Sequence, residues 1–287
     1  MRPPEKAKTR AARPSSPVRR DMLARMICRL CSKEAASFGT ALVLRRLQVA
    51  YFECPACGLV QTENPYWLDE AYAEAISSCD VGIVSRNLSL IRATSLVIRA
   101  FFNPAGRFMD YGAGTGLLVR AMRDSGYDFR YFDRYAKNVF ARGFEAAEDH
   151  QDDRQYDLLT AFEVLEHLPD PMQGIADMLR RSKNILLTTE LLPSHKPPPG
   201  QWWYYALETG QHVSFYSRRS LEYIASRSGL HLTSRHSLHL LSQKPVHPRL
   251  FRFILSSRWA ETFLRRRAPR RGLIPSDFEQ IAGRPLE

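Results

Sequence analysis

The chain has 287 residues, enough to bury a full core, and 44% of them are hydrophobic, an ordinary share for a globular protein. No apolar run approaches the roughly 18 residues of a membrane span, and no apolar stretch follows the basic start as in a secretory signal, so a cytoplasmic location is expected. The net charge of +11 sits at the ends: residues 1–25 carry eight basic and two acidic side chains, residues 244–287 ten and four, and the rest 23 and 24, so nucleic acid is not the expected partner of the body.

Residues 1–25 are rich in Pro, Ala, Ser, Lys and Arg with little to bury, the composition of a disordered basic tail, and Met22 or Met26 offers an alternative start. Residues 26–65 hold Cys28-x2-Cys31 and Cys54-x2-Cys57, separated by 22 residues. Each pair presents two thiolates to one ion, and four thiolates satisfy a tetrahedral Zn²⁺ with no open position. A structural zinc-ribbon-like module is therefore expected, with disulfides as the alternative. Pro55 and Gly58 suit a tight metal knuckle, and the segments around Val43-Leu44 and Val49 to Phe52 suit the intervening strands. Cys79 stands alone and reads as an ordinary thiol. Tyr66 to Ser78 and Val84 to Phe102 read as helices; the second, with Leu88, Ile91, Leu96, Val97, Ile98 and Phe101 apolar, is expected to pack on a sheet.

Phe108-Met109-Asp110-Tyr111-Gly112-Ala113-Gly114-Thr115-Gly116 follows, an apolar run that ends in a carboxylate and three alternating glycines. This is the pattern of a buried parallel strand that turns sharply into a helix, here with Leu117, Leu118, Ala121 and Met122 as the apolar stripe. Such a turn lets a ligand approach the backbone and aims the first helical N–H groups at it. In the dinucleotide fingerprint glycine would occupy position 117, which is Leu117, so a nucleoside ligand without a pyrophosphate suits the loop better. A short aromatic strand, Asp128 to Phe132, ends in Asp133, where an acid can accept both ribose hydroxyls.

Asp110-Tyr111-Gly112-Ala113-Gly114-Thr115-Gly116, Phe132-Asp133-Arg134-Tyr135-Ala136 and the run from Tyr156 through Glu163-Val164-Leu165-Glu166-His167 to Pro171 together resemble the class I S-adenosylmethionine-dependent methyltransferases, over roughly residues 84–243. The resemblance implies an α/β fold: a Rossmann-like, doubly wound sheet of seven strands, preceded here by the small zinc ribbon. It implies that Gly112, Gly114 and Gly116 line the methionine arm, that Asp110 braces the loop, that Asp133 holds the ribose, that Tyr135 flanks the adenine, and that Glu163 belongs to the cofactor site. Residues 144–155 depart from the pattern, being polar with no β run where a third strand is due.

Glu163 and His167, four apart, would share a face of a helical turn, with Glu166 beside them. Beyond helix capping, two chemistries fit. The Glu-x-x-Glu-His resembles that of ubiquinone-pathway and small-RNA 2′-O-methyltransferases, which implies a divalent Mg²⁺ or Mn²⁺ that polarises the acceptor hydroxyl. Alternatively, His167 is a general base. His212 is expected to complete the site with Glu166 and His167. Trp202-Trp203-Tyr204-Tyr205, four aromatics in a loop, read in part as a platform for a sugar ring or flat acceptor. These blocks, with Gly210 to Ser217, resemble methyltransferases of bacterial polysaccharide and glycan pathways, and the cysteine module resembles that of sugar C-methyltransferases, which are longer.

Residues 66–243 are thus expected to form the catalytic domain, and residues 244–287 a basic helix over 249–267 followed by a tail, with docking on the enzyme or peripheral contact with an acidic membrane as its two roles. The expected function is methylation of a sugar, nucleotide-sugar or glycan intermediate. A metal-assisted O-methyltransferase of an RNA end or phenol, and a cofactor-binding scaffold without turnover, are the alternatives. The sequence does not address oligomeric state.

Overall fold

A computed structural model of the protein describes residues 26–73, 81–147, 155–267 and 270–286. The basic tail 1–25 and Cys79 lie outside the described residues.

Two sheets organise the chain. The first is antiparallel and contains β1 (Met26–Ile27), β2 (Glu34–Val43), β3 (Leu47–Glu53) and β4 (Val60–Thr62). A four-residue helix α1 (Leu68–Ala71) and the long helix α2 (Ile83–Phe101) lead to the second sheet. There β5 (Arg107–Tyr111), β6 (Asp128–Phe132), β7 (Leu158–Phe162) and β8 (Ile185–Thr188) run parallel, with α3 (Leu117–Asp124) and α4 (Pro171–Arg181) in the crossovers. After β9 (Ser214–Phe215) and α5 (Arg218–Arg227), the hairpin β10 (His231–Arg235) and β11 (Leu238–Ser242) completes the strand order β10-β11-β8-β7-β5-β6, β11 antiparallel to β8.

The sheet therefore has six strands among the described residues, not the expected seven. Beside β6 there is a single parallel bridge, Tyr131 to Glu145, and no strand in the described part of 144–155. That segment lacks the apolar alternation an outer strand needs to bury one face. Phe144 fills the gap instead, fully buried with the Arg123 guanidinium 3.9 Å from its ring centroid.

Alternation sets the layers, because successive strand side chains point to opposite faces. Phe108, Leu158, Leu186 and Leu240 pack on one face with α2, α3 and the later helix α6 (Pro248–Ser256). Met109, Leu159, Ala161, Ile185 and Leu187 pack on the other with Ile175, Met178, Leu221 and Ile224 of α4 and α5. The second core continues into Cys28, Leu30, Phe52, Cys54 and Leu59 of the N-terminal sheet. That sheet is not self-contained: its outer strand is β9, which pairs Phe215 with Val60 and Ser214 with Gln61.

The expected helix over 249–267 is two helices, α6 and α7 (Arg258–Arg267), interrupted at Ser257, whose backbone is extended and whose Oγ accepts from the Ala260 N–H at 3.2 Å. A last helix, α8 (Ile274–Ala282), is pinned by Asp277, whose buried carboxylate accepts from Arg120 at 2.7 Å and from Arg123 at 2.6 and 2.9 Å. Leu88, expected in the core, is 64% exposed. Among the described residues no helix is long and apolar enough to cross a membrane.

Candidate active site and cysteine cluster

Strand order reverses between β5 and β7, and ligands of doubly wound sheets bind at the carboxyl ends flanking that point. A cavity of about 870 Å³ lies there, large enough for a nucleoside cofactor and a small acceptor. Its wall contains the glycine turn, Asp110, Asp133, Tyr135, Glu163, His167 and His212, so the structure brings these expected residues together; Glu166 lies behind the wall.

Gly112, Gly114 and Gly116 all have positive φ, at 73°, 56° and 82°, conformations that side chains disfavour. A Cβ at Gly112 would lie 2.6 Å from Val164 Cγ2, whereas at Gly114 it would meet nothing within 4 Å, so Gly114 presents bare backbone to open space. Within the turn itself most N–H groups are engaged. Gly112 and Ala113 donate to the Phe132 carbonyl at 2.8 and 3.1 Å, Gly114 to Asp133 Oδ2 at 2.8 Å, and Gly116 to the Ala113 carbonyl at 2.9 Å. The helix that follows starts at Leu117 without a side-chain cap, so its first N–H groups lie beside the cavity, and Gly114 adds close approach to the backbone.

The hydrogen bonds that brace the loop go to Asp133 and not to Asp110, of which the brace was expected. Asp110 is buried and accepts from Thr160 Oγ1 at 2.6 Å rather than from the loop; burial pushes its pKa up to about 7. Asp133 is the brace, accepting from Gly114 N on one oxygen and from Tyr135 N and Ala136 N, at 2.8 and 2.7 Å, on the other. Tyr135 is 73% exposed on the cavity wall and stacks on Tyr72 at 5.3 Å between centroids, which gives a flat aromatic wall. Asp69 also lines the cavity, so four acids face two arginines, Arg86 and Arg134. That balance favours a cationic ligand.

After β7 the chain does not form the helical face expected of Glu163 and His167. Glu163 has φ 52°, with its N–H donating to Thr188 Oγ1 at 2.9 Å and that hydroxyl donating back to its carboxylate at 2.7 Å. The turn that follows, Leu165–His167, is a single 3₁₀ turn. It directs Glu166 inward, to full burial, and leaves His167 on the cavity. The segment with His212 is held alongside by Val213 N donating to the Glu166 carbonyl at 2.8 Å.

Candidate ligand atoms of Glu166, His167 and His212 lie within 4.8 Å of one another. His167 Nδ1 lies 3.2 Å from the Gln211 carbonyl, and His212 Nδ1 lies 2.7 Å from the Tyr204 carbonyl. A carbonyl only accepts, so each ring carries its proton on Nδ1 and leaves Nε2 as an acceptor or metal ligand. Burial lowers the pKa of His167 to about 3, aided by His212, and that of His212 to about 4. Neither oxygen of Glu166 has a hydrogen-bond partner. Burial, first, and the nearby Glu163 push its pKa up to about 8; the Tyr204 and Thr189 hydroxyls close by bond each other at 3.3 Å rather than the carboxylate.

Of the four loop aromatics, Tyr204 and Tyr205 are core and Trp202 packs on both, so the expected platform reduces to Trp203, 75% exposed at the cavity.

The four N-terminal cysteines converge without disulfides: Sγ atoms lie 3.5 Å apart in Cys28 and Cys57, 3.4 Å in Cys31 and Cys54, and all within 4.8 Å. These separations suit four thiolates around one tetrahedral ion with bonds of about 2.3 Å. Both knuckles are tight turns with a positive-φ residue, Ser32 and Gly58. Helix α5 seats on the second: Ser220 Oγ donates to the Cys57 carbonyl at 3.0 Å, and a Cβ at Gly58 would lie 2.5 Å from Ser217 Oγ.

No curated protein matches the chain. Similar solved structures include an O-methyltransferase family 2 protein from Planctomyces limnophilus in complex with apigenin, at 18% identity and TM-score 0.40, covering 61% of this chain and 66% of that one. A methyltransferase of calicheamicin biosynthesis with SAH bound has 13% identity and TM-score 0.39, covering 62% and 60%. Magnesium protoporphyrin IX methyltransferase from Synechocystis, with SAM bound, has 15% identity and TM-score 0.38, covering 62% and 90%. The chain thus spans less than two thirds of the first two proteins. The family described as a methyltransferase domain matches residues 86–235, more than half of the chain and all of the parallel strands. The chain belongs to this methyltransferase-domain family.

Proposed function

We propose that the chain methylates a hydroxyl of a sugar, nucleotide-sugar or glycan intermediate. The observation that carries this reading is a single cavity walled by both the glycine turn and the His167–His212 pair. S-adenosylmethionine, when bound, supplies an electrophilic methyl group on a sulfonium. The acids Asp69, Asp110, Asp133 and Glu163 favour its two positive charges, Gly114 lets one arm lie against the backbone, and the Tyr72–Tyr135 pair offers the adenine a stacking face. Trp203 at the cavity suits the apolar face of a sugar ring.

The remaining requirement is to position the acceptor and remove one proton. A histidine whose pKa is held near 3 or 4 stays neutral at pH 7 and is a weak base, so the pair serves better as acceptors of a hydrogen bond or as ligands. This favours the metal-assisted mechanism: Glu166, His167 and His212 would hold a divalent cation, which polarises the acceptor hydroxyl and compensates the unpartnered buried carboxylate. Cys28, Cys31, Cys54 and Cys57 would hold a structural Zn²⁺.

The test is transfer of a labelled methyl group to a panel of nucleotide-sugars, glycans, phenols and short RNAs, with and without a carboxylate chelator. Turnover of a sugar acceptor that vanishes on chelation and returns with Mg²⁺ or Mn²⁺ supports the whole reading. Chelator-insensitive turnover returns the histidines to general-base duty, transfer only to phenols or RNA overturns the acceptor class, and binding of NADH in preference to S-adenosylmethionine overturns the reading entirely.

A further inference from the structure

The C-terminal helices bury one face and leave the other uncovered. Phe251, Ile254 and Leu255 of α6 and Ala260 of α7 are buried against the body, and Arg92 of α2 bonds Glu261 at 2.8 Å. On the outer side Leu250 is 47% exposed, Phe253 56%, Trp259 87% and Phe263 62%. Arg249, Arg252, Arg258, Arg265 and Arg266 are exposed around them. Arg249 and Phe253 on α6, and Trp259 and Phe263 as well as Thr262 and Arg266 on α7, are four apart, so each pair shares a face of its own helix. Residues 244–267 contain seven Lys or Arg and one acid, and that acid, Glu261, pairs with Arg92 of the body on one oxygen and with Arg265 at 3.0 Å on the other.

We infer that the outer face of α6 and α7 binds the surface of an anionic phospholipid membrane. Large apolar side chains ringed by arginine, on a helix that lies flat, are what an interface of headgroups over acyl chains accepts: the rings enter the acyl boundary and the guanidinium groups remain among the phosphates. A single-stranded nucleic acid would call for a basic groove with stacking rings inside it, whereas these side chains stand on the outside of surface helices. The inward half of the same two helices explains why the segment stays on the protein when no lipid is present. Helix α7 lies along α2, through Arg92 to Glu261 and Arg99 to the Leu264 carbonyl, and the first half of α2 walls the cavity with Ile83, Arg86, Asn87 and Leu90. Val84 and Leu88, 58% and 64% exposed, continue the apolar surface along that half. Docking through this face therefore sets the wall of the cavity beside the membrane.

The test is flotation of the full chain with vesicles of phosphatidylcholine alone and of phosphatidylcholine with phosphatidylglycerol, at low and physiological salt. Binding to the anionic vesicles only is expected. The exposed pair Trp259→Ser/Phe263→Ser should weaken it about tenfold or more, and the triple variant Arg258→Gln/Arg265→Gln/Arg266→Gln by on the order of a hundredfold, with the melting temperature and S-adenosylmethionine affinity of the parent retained. Vesicle binding that persists in the double variant would overturn the inference and assign the interaction to the basic N-terminal tail. Failure to bind anionic vesicles, or tighter binding to a short RNA than to vesicles, would overturn it as well.

Discussion

Replacing Asp133 separates two roles that its position alone does not. If the carboxylate only holds a ribose, Asp133→Ala lowers cofactor affinity and leaves folding intact. The structure instead gives it three backbone donors, Gly114, Tyr135 and Ala136, at 2.7 to 2.8 Å. Hydrogen bonds to a charged group are worth about 1.5–3 kcal/mol each. Asp133 is only half-buried, so water recovers part of that, and a net loss of about 2–4 kcal/mol is expected. For a chain of this size each kcal/mol moves the melting point by about 2–4 °C, which puts the fall at about 5–12 °C. Asp133→Asn is the sharper probe. Its one carbonyl oxygen keeps the Tyr135 and Ala136 bonds, but its amide nitrogen faces the Gly114 N–H, donor against donor. It should therefore lose about half as much stability as alanine while the glycine turn, and with it cofactor affinity, suffers in full. Thermal melts with and without saturating S-adenosylmethionine, paired with calorimetric affinities, read both quantities. Parental melting points in both variants with collapsed affinity would refute the bracing role; parental values of both would remove Asp133 from the site.

Three other outcomes follow from the geometry. Cys57→Ser should abolish zinc in elemental analysis of the purified protein and loosen the β4–β9 edge, seen as lost protection of the Thr62 amide, which donates to the Val213 carbonyl at 3.1 Å; full protection without zinc would refute the metal reading. In metal-free protein the Glu166 carboxyl holds its proton to about pH 8 while the unfolded chain releases it near 4.5, so stability falls as pH rises through that window; Glu166→Gln should flatten the fall, and an unchanged slope would place the carboxylate in contact with water. His239 is fully buried, with Nδ1 2.8 Å from Ser234 Oγ and Nε2 3.2 Å from the Thr189 carbonyl, and burial lowers its pKa to about 4. The unfolded chain then binds the extra proton first, so about 3 kcal/mol of stability is lost as pH falls from about 6.5 through 4, and acid melts of His239→Gln should be correspondingly shallower.

The parallel strands were legible because Phe108 to Tyr111 and Leu158 to Ala161 are buried on both faces and read as apolar runs, and because glycine adopts the positive φ values at 112, 114 and 116 without the strain a side chain brings. The cysteine cluster was legible from spacing, since two close pairs converge whatever lies between them. What sequence did not reveal depends on contacts far apart in the chain. Asp110 and Asp133 are both acids at strand ends, and only the packing of Thr160 against one and Gly114 against the other assigns the brace. The left-handed φ at Glu163 breaks the helical spacing that placed it with His167, and no glycine announces it. Trp202 to Tyr205 carried no periodicity, so the burial of Tyr205 against Tyr51 and Phe215, and of Tyr204 beside His212, had no local signal. Asp277 sits in an uninformative tail, and its role appears only with Arg120 and Arg123, more than 150 residues away in sequence.

The division between cysteine module and catalytic domain, natural in the linear sequence, is where packing changes the argument most. A module of some forty residues with a metal could stand alone if its sheet were complete, but the outer strand of this one is β9, and β9 follows directly on His212. Trp67 Nε1 donates to the Gly210 carbonyl at 2.8 Å, and the Gln211 side-chain amide donates to the Ala71 carbonyl at 2.8 Å, so residues just beyond the module's end grip the segment that carries the histidine. Gln211 in turn receives the His167 ring proton on its own carbonyl. The orientation of both imidazoles therefore depends on a strand that is seated from the cysteine side. Loss of metal at the four thiolates would be felt at the acceptor end of the cavity before it was felt at the glycine turn, which is tied to β6 and Asp133 and makes none of these contacts. A chain stripped of that metal should accordingly keep most of its cofactor affinity and lose turnover first.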